Sequence, residues 1–307
     1  MPSEPSEEGL WTRATYFLYL SGWRLARALP EGLAYGLANT AGTLAARLSR
    51  RKRAIVERNL ARITGDHPGS TQLNELVLES FRSYARYWLE LFRLRPEDSD
   101  VLVERFRVHN LDRLDDVLAR GKGAVVVVPH LGNWDAAGAW AGASGRRVAT
   151  VAEILRPRRL FDLFCEQRRR LGITVFAAER GVGAKLVAAA RDGRMVAILG
   201  DRDLGGRGVE VDFFGARATF PTGPASIAIR AGVPILVAGV YGVRRTGGER
   251  GWEAEIAEPI ELPEGSGRDA LMDVTRQVAA KLEAFIARRP EEWHVFQPFW
   301  IEDRGTH

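Results

Sequence analysis

From Ala124 onward the chain alternates short runs of β-branched and small apolar residues with helical spacers, and no other feature restricts the fold as much. Ala124-Val125-Val126-Val127-Val128, closed by Pro129, is apolar without alternation, the pattern of a strand buried on both faces of a parallel sheet. Comparable strands are predicted at Arg147 to Val151, Thr174 to Ala177, Met195 to Leu199 and Pro234 to Tyr241, with helical spacers such as Arg158 to Leu171 and Ala184 to Arg191 between most of them. Parallel neighbours need crossovers that lie over the sheet. The expected fold is therefore α/β, a central, mostly parallel sheet flanked by helices.

The first hundred residues read as all helical. At about 100° per residue, Arg13, Arg24 and Arg27 share one sector of a helix from Leu10 to Leu29, opposite Trp11, Leu18, Gly22, Leu25 and Leu29. Such a helix either lies in a bilayer interface or packs its apolar side on the protein's own core. Pro30 starts a second helical stretch that runs through Leu48. The run Arg50-Arg51-Lys52-Arg53 is either a contact for an anionic leaflet or a solvated helix face. Gln72 to Leu94 is amphipathic, with Leu76, Phe81, Tyr84, Trp88, Leu91 and Phe92 as its apolar set, and ends before Pro96.

With no low-complexity linker, 1–307 is expected to be one domain: a helical, membrane-associating part at 1–118 and an α/β catalytic part at 119–307. The acidic segment Pro2 to Glu8 lacks the basic start of a secretory signal and is expected to stay on the protein. The early apolar stretches, Ala14 to Trp23 and Gly32 to Ala46, both fall short of the roughly 20 residues of a membrane span. Forty of the 44 basic residues are arginine, from codon bias or from a need for planar groups that bind phosphate and carboxylate. The net charge of +5 favours an acidic partner without choosing among nucleic acid, anionic lipid and a polyphosphate-bearing cofactor. The single cysteine, Cys165, excludes an intrachain disulfide, and no metal site is expected from the five histidines.

Pro129-His130-Leu131-Gly132-Asn133-Trp134-Asp135 follows the valine strand directly, at the edge where open α/β sheets place their ligands. His130 and Asp135 are five apart, a spacing that lets the carboxylate reach one imidazole nitrogen and leaves the other to accept a proton. The chain lacks a Gly-x-Ser-x-Gly elbow, and Cys165 sits in mid-helix, so the attacking hydroxyl is expected to belong to the substrate. Asp201-Arg202-Asp203 follows the strand Met195 to Leu199 at the same edge. Pro221-Thr222-Gly223-Pro224 precedes a helix near Ala225 and offers either free amide donors or a plain helix cap.

The sequence resembles the phosphatidylinositol mannoside acyltransferase family, a branch of the group that includes the lipid A late acyltransferases, over nearly its whole length. The resemblance rests on Ser21 to Pro30, Arg58-Asn59-Leu60-Ala61-Arg62, His130 to Asp135, Asp201-Arg202-Asp203-Leu204, Gly208 to Gly215, Pro221 to Ala225 and Trp293-His294-Val295-Phe296-Gln297-Pro298. It implies a long-chain acyl-CoA donor as co-substrate, no other cofactor, and a mannose hydroxyl of a phosphatidylinositol mannoside as acceptor. It also implies a hydrophobic channel for the acyl tail and a peripheral position on the inner face of the cell membrane, on an anionic surface, with no nucleic acid partner. By the same resemblance the base and its acidic partner are His130 and Asp135, and Asp201 stands where the family has a glutamate as supporting acid. Glu153, Arg168, Arg202 and Asp203 are the implied substrate-binding residues, with structural ion pairs as the plainer alternative for Arg168 and Arg202.

Three other readings compete. A glycerophospholipid acyltransferase shares the His-x4-Asp chemistry and differs only in the flanking motifs. A basic membrane- or nucleic-acid-binding protein would bind in a salt-dependent way and tolerate His130→Ala. A metal-dependent hydrolase would use His130, Asp135, Asp201 and Asp203 as ligands and fail under chelation.

Overall fold

The computed structural model describes residues 10–203, 205–206, 208–245 and 248–304, with side chains from residue 16 onward. The acidic Pro2 to Glu8 segment, Leu204 and His307, and the side chains of Trp11 and Arg13, lie outside the described residues. Helices α1 (Leu10–Ala28), α2 (Glu31–Leu48), α3 (Arg50–Thr64), α4 (Thr71–Arg93) and α5 (Ser99–Arg105) come first, followed by strand β1 (Phe106–His109). Then follow α6 (Leu111–Ala119), β2 (Ala124–Val128), α7 (Trp134–Ala143), β3 (Val148–Ala152), α8 (Arg158–Arg170), β4 (Ile173–Ala177), α9 (Val182–Arg191) and β5 (Met195–Leu199). A hairpin of β6 (Val209–Phe213) and β7 (Ala216–Phe220) precedes α10 (Gly223–Ala231), β8 (Ile235–Arg244), β9 (Arg250–Ile256) and α11 (Arg268–Arg288).

Seven strands form one sheet in the order β1-β9-β8-β2-β5-β3-β4. Every neighbouring pair is parallel except β8 with β9, which run antiparallel. This is the mostly parallel α/β sheet that the alternating pattern predicts. The unbroken apolar run of β2 has its cause in two covered faces: Val125 and Val127 pack into one core, Ala124 and Val126 into the other. Each valine so buried contributes roughly 1.5–3 kcal/mol. Aromatics of α4 and α8 join the core on one face, and α10 and α11 line the other.

The helical part ends earlier than the 1–118 boundary, because Phe106–His109 pairs in parallel with β9 as the sheet's edge strand. Among the described side chains of α1 the buried ones are Trp23 and Ala26, not Leu18 and Leu25. The Trp23 ring stacks on Phe92 and Phe164, each at 5.6 Å. Arg27, read as part of an outward basic face, turns inward and donates to the carbonyls of Phe92 and Leu94 at the end of α4, satisfying acceptors the helix leaves open. Phe17, Leu18 and Leu25 stay exposed, and so do Leu33, Leu37, Leu44 and Leu48 of α2. No helix among the described residues is long and apolar enough to cross a membrane.

Candidate active site

Strands β2 and β5 run side by side in register, with Val128 opposite Leu199. The ladder continues past their ends, where the Gly200 amide donates to the Val128 carbonyl at 3.0 Å. Two residues beyond Val128 and Leu199, the same register sets His130 opposite Asp201. Glycine is required at 200: a Cβ there would lie 2.2 Å from Cγ1 of Val127. Gly132 is held at φ +59°, and a Cβ on it would lie 2.2 Å from the Val240 carbonyl oxygen, so the turn after His130 is pressed against β8.

Asp201 is fully buried and uses both oxygens. Oδ1 accepts from Nδ1 of His130 at 2.6 Å. Oδ2 accepts from the His130 amide at 2.9 Å and from Nε1 of Trp293 at 2.8 Å. Burial pushes the carboxyl pKa up, but the neighbouring His130, through its ring and amide hydrogen bonds, and the Trp293 indole outweigh it and leave the group below its ordinary value. Asp201 is therefore an anion that can only accept, so the ring proton of His130 sits on Nδ1 and Nε2 keeps a lone pair. The imidazole is 14% exposed, lies 5.1 Å from the Trp134 ring, edge on, and is anchored by the Trp293-His294 segment, whose His294 amide donates to the His130 carbonyl at 2.7 Å.

The expectation that Asp135 orients His130 is corrected by this geometry. Asn133 caps α7 by accepting from the Ala136 amide at 2.9 Å, and the first turn of that helix carries Asp135 toward α4 and α8. Its Oδ2 accepts from the Tyr87 hydroxyl at 2.8 Å and its Oδ1 from Nε of Arg168 at 2.8 Å. Burial opposes the Arg168 charge, but the Asp135 carboxylate more than compensates and holds the guanidinium above its ordinary value. The Tyr87 phenol is pushed well above its ordinary value by burial and then by the same carboxylate. Arg168, half-buried on α8, thus forms an ion pair with the buried Asp135 at the foot of α7.

Of the remaining residues singled out from sequence, Glu153 is exposed just beyond β3. Arg202 donates through Nη2 to Gln297 at 2.9 Å, while its buried Nε has no hydrogen-bond partner. Asp203 accepts from the amides of Gly205 and Gly208 at 3.2 and 2.8 Å, so its carboxylate shapes the loop after β5. At the Pro221 to Pro224 loop, Thr222 precedes α10 without a side-chain cap bond.

Sequence reasoning left three participants without a role. Trp293 holds Asp201, as above. His294 is buried, and its Nε2 lies 3.0 Å from the Ser83 hydroxyl. Burial, then the neighbouring His130 and Arg86, push its pKa down to about 3, so it is a neutral ring. Glu90 gathers Tyr35, Asn133 and Trp252 at 3.0, 2.8 and 2.7 Å, tying the helical part to the His130 turn. The Trp293-His294 pair is marked in the sequence by its place in the resemblance, whereas Glu90 sits unmarked within an amphipathic helix. Among the described residues, no group of three or more His, Cys, Asp and Glu side chains could hold a metal ion.

The model of the bacterial lipid A biosynthesis acyltransferase family matches residues 6–302. The chain belongs to that family. Relatives are of two kinds. A phosphatidylinositol mannoside acyltransferase of Mycolicibacterium smegmatis is 37% identical over 288 residues, 93% of this chain and 91% of the relative. One from Mycobacterium tuberculosis (strain CDC 1551 / Oshkosh) is 34% identical over 308 residues, 99% of this chain and 93% of the relative. A lipid A biosynthesis acyltransferase of Haemophilus influenzae is 23% identical over 295 residues, 94% of this chain and 86% of the relative.

Proposed function

We propose that the chain moves a long-chain acyl group from acyl-CoA to a mannose hydroxyl of a phosphatidylinositol mannoside, with His130 as general base and Asp201 as the residue that orients it. The hydroxyl proton passes to Nε2 of His130 as the oxygen attacks the thioester carbonyl carbon. The C–S bond then breaks, and the imidazolium returns the proton to the departing sulfur, giving the ester and free CoA. Asp201 keeps the ring in the Nδ1–H tautomer and stabilises its charge while it holds the extra proton. Such base catalysis is typically worth about 10²–10⁴-fold, and positioning of the thioester supplies the rest.

The observation that carries this reading is the His130 to Asp201 bond of 2.6 Å at the paired ends of β2 and β5, which points the ring's one acceptor away from the carboxylate. The mannoside acceptor is supported by the names of the mycobacterial relatives, and the acyl-CoA donor rests on the sequence resemblance alone. A peripheral position on the inner membrane face is supported by the exposed Leu18, Leu25, Leu33, Leu37, Leu44 and Leu48 on α1 and α2.

Purified protein incubated with palmitoyl-CoA and a panel of glycolipid acceptors is expected to release free thiol and add one acyl mass to a mannoside. No product with any mannoside would remove the specific reading, and chelator is expected to leave turnover unchanged.

A further inference from the structure

Beside α2 and α4 lies a cleft of about 570 Å³ whose walls carry five arginines, Arg47, Arg82, Arg86, Arg244 and Arg250, against one carboxylate, Glu79. Glu79 is already shared: it takes Nη2 of Arg86 at 2.7 Å and Nη1 of Arg82 at 3.6 Å. Arg47 and Arg244 are exposed and have no hydrogen-bond or ion-pair partner among the described residues. Arg250 is fixed with its guanidinium 4.0 Å over the Tyr35 ring. Burial, with the charges of Arg244 and Arg86, lowers its pKa against the opposing pull of Tyr35 and Glu90, so like charges are crowded together here.

Two further features tie the cleft to the reaction. Arg86, Arg244 and Arg250 also line a narrower cavity of about 100 Å³ that reaches Gly132 and Asn133 of the His130 turn. On its outer side the large cleft is bordered by Leu44, one of the exposed leucines of α2. Planar guanidinium groups crowded around a solvent-open space suit oxyanions such as phosphate, because each can present two parallel donors.

We propose that this cleft binds the phosphate-ester group of a substrate, in a subsite separate from the His130 to Asp201 pair. The inference rests on the acyl-transfer reading for the choice between two sources of that chemistry, the phosphates of CoA and the phosphodiester of an inositol lipid. Binding can be read without turnover, so the two ideas fail separately.

The test is calorimetric titration of the full chain with CoA and, in a second arm, with glycerophosphoinositol. Native protein is compared with an Arg47→Gln, Arg244→Gln double variant and with a control of equal charge, Arg107→Gln with Arg120→Gln. The cleft variant is expected to weaken one of the two ligands about tenfold or more and leave the other within about twofold, which names the source; the control should change neither. Steeper loss of the same ligand's affinity in salt for native protein than for the variant is expected as well. The proposal is overturned if native protein binds neither ligand, if both bind the variant as they bind native protein, or if the control loses as much. It is also overturned if the variant loses only its binding to phosphatidylglycerol vesicles, since the cleft would then be a general lipid contact. Binding lost in the variant with no mannoside ever acylated would sustain the subsite and refute the acceptor.

Discussion

Two buried carboxylates lie close to the motif that follows β2, and their surroundings give them opposite uses. At the rim between β2 and β5, Asp201 accepts from an amide, an indole and the ring of His130. At the foot of α7, Asp135 accepts from Tyr87 and from Arg168. A guanidinium does not surrender its proton, and the Tyr87 phenol is raised further from neutrality, so nothing at Asp135 exchanges protons near pH 7. The imidazole beside Asp201 does have an open nitrogen. Burial is common to both sites; the acidity of the partner decides which one is chemistry and which one is architecture.

The largest difference between the sites should appear in turnover. Asp201→Asn keeps the shape but removes the anion, and a drop in kcat of about 10²–10⁴-fold is expected in a thiol-release assay, with Asp135→Asn within about tenfold of native at a temperature where both are folded. Equal losses would erase the distinction. Stability should show the reverse emphasis: Asp135→Asn leaves the half-buried Arg168 without its counter-charge and should cost about 2 kcal/mol in urea unfolding, most of it recovered when Arg168→Met is added. Failure of the second change to compensate would mean that Asp135 acts through some other partner.

A smaller effect sharpens the role of the shell around Asp201. Trp293→Phe removes one charge-assisted hydrogen bond and should cost roughly 2 kcal/mol, with kcat falling more than KM rises; a change confined to KM would assign Trp293 to substrate binding instead. The smallest is a pH effect. His294 has a folded pKa of about 3 against an ordinary 6.5, so only the unfolded chain takes up its proton in between, and native stability is lost as pH falls below about 6.5. His294→Asn should remove roughly 1 kcal/mol of that loss between pH 7.5 and 5.5, read from unfolding midpoints at both values. Glu292, pushed up to about 7 chiefly by burial, has the opposite sign: its contribution is present below its ordinary value and lost as pH rises toward 7. It is common to both proteins, so their difference isolates His294, and parallel pH curves would contradict its buried neutral state.

The same two carboxylates show where the sequence was informative. Strands with unbroken apolar runs, β2 and β5, were legible to the residue because both faces are covered. Amphipathic α4 and α8 were legible from their 3.6-residue period. Strands β1 and β9 and the β6–β7 hairpin were not, because their signals are short or interrupted by charge. β9 reads Arg-Gly-Trp-Glu-Ala-Glu-Ile, and its meaning comes from neighbours distant in the chain. At the site, a spacing of five suggested Asp135, whereas the pairing that forms joins residues 71 apart. That offset is also the β2–β5 register, so aligning the two strand ends sets Asp201, already placed at this edge by its sequence, opposite His130; local spacing carries no information about that pairing. The inward turn of Arg27 was hidden for a similar reason, since its acceptors belong to α4.

The most direct test is the proton on the His130 ring, observed by nitrogen-15 NMR of imidazole-labelled protein near neutral pH. The expected spectrum has a hydrogen-bonded, low-field proton on Nδ1 and a bare Nε2, with the low-field signal intact in Asp135→Asn and gone in Asp201→Asn. A signal that vanishes with Asp135 and survives the loss of Asp201 would contradict the account.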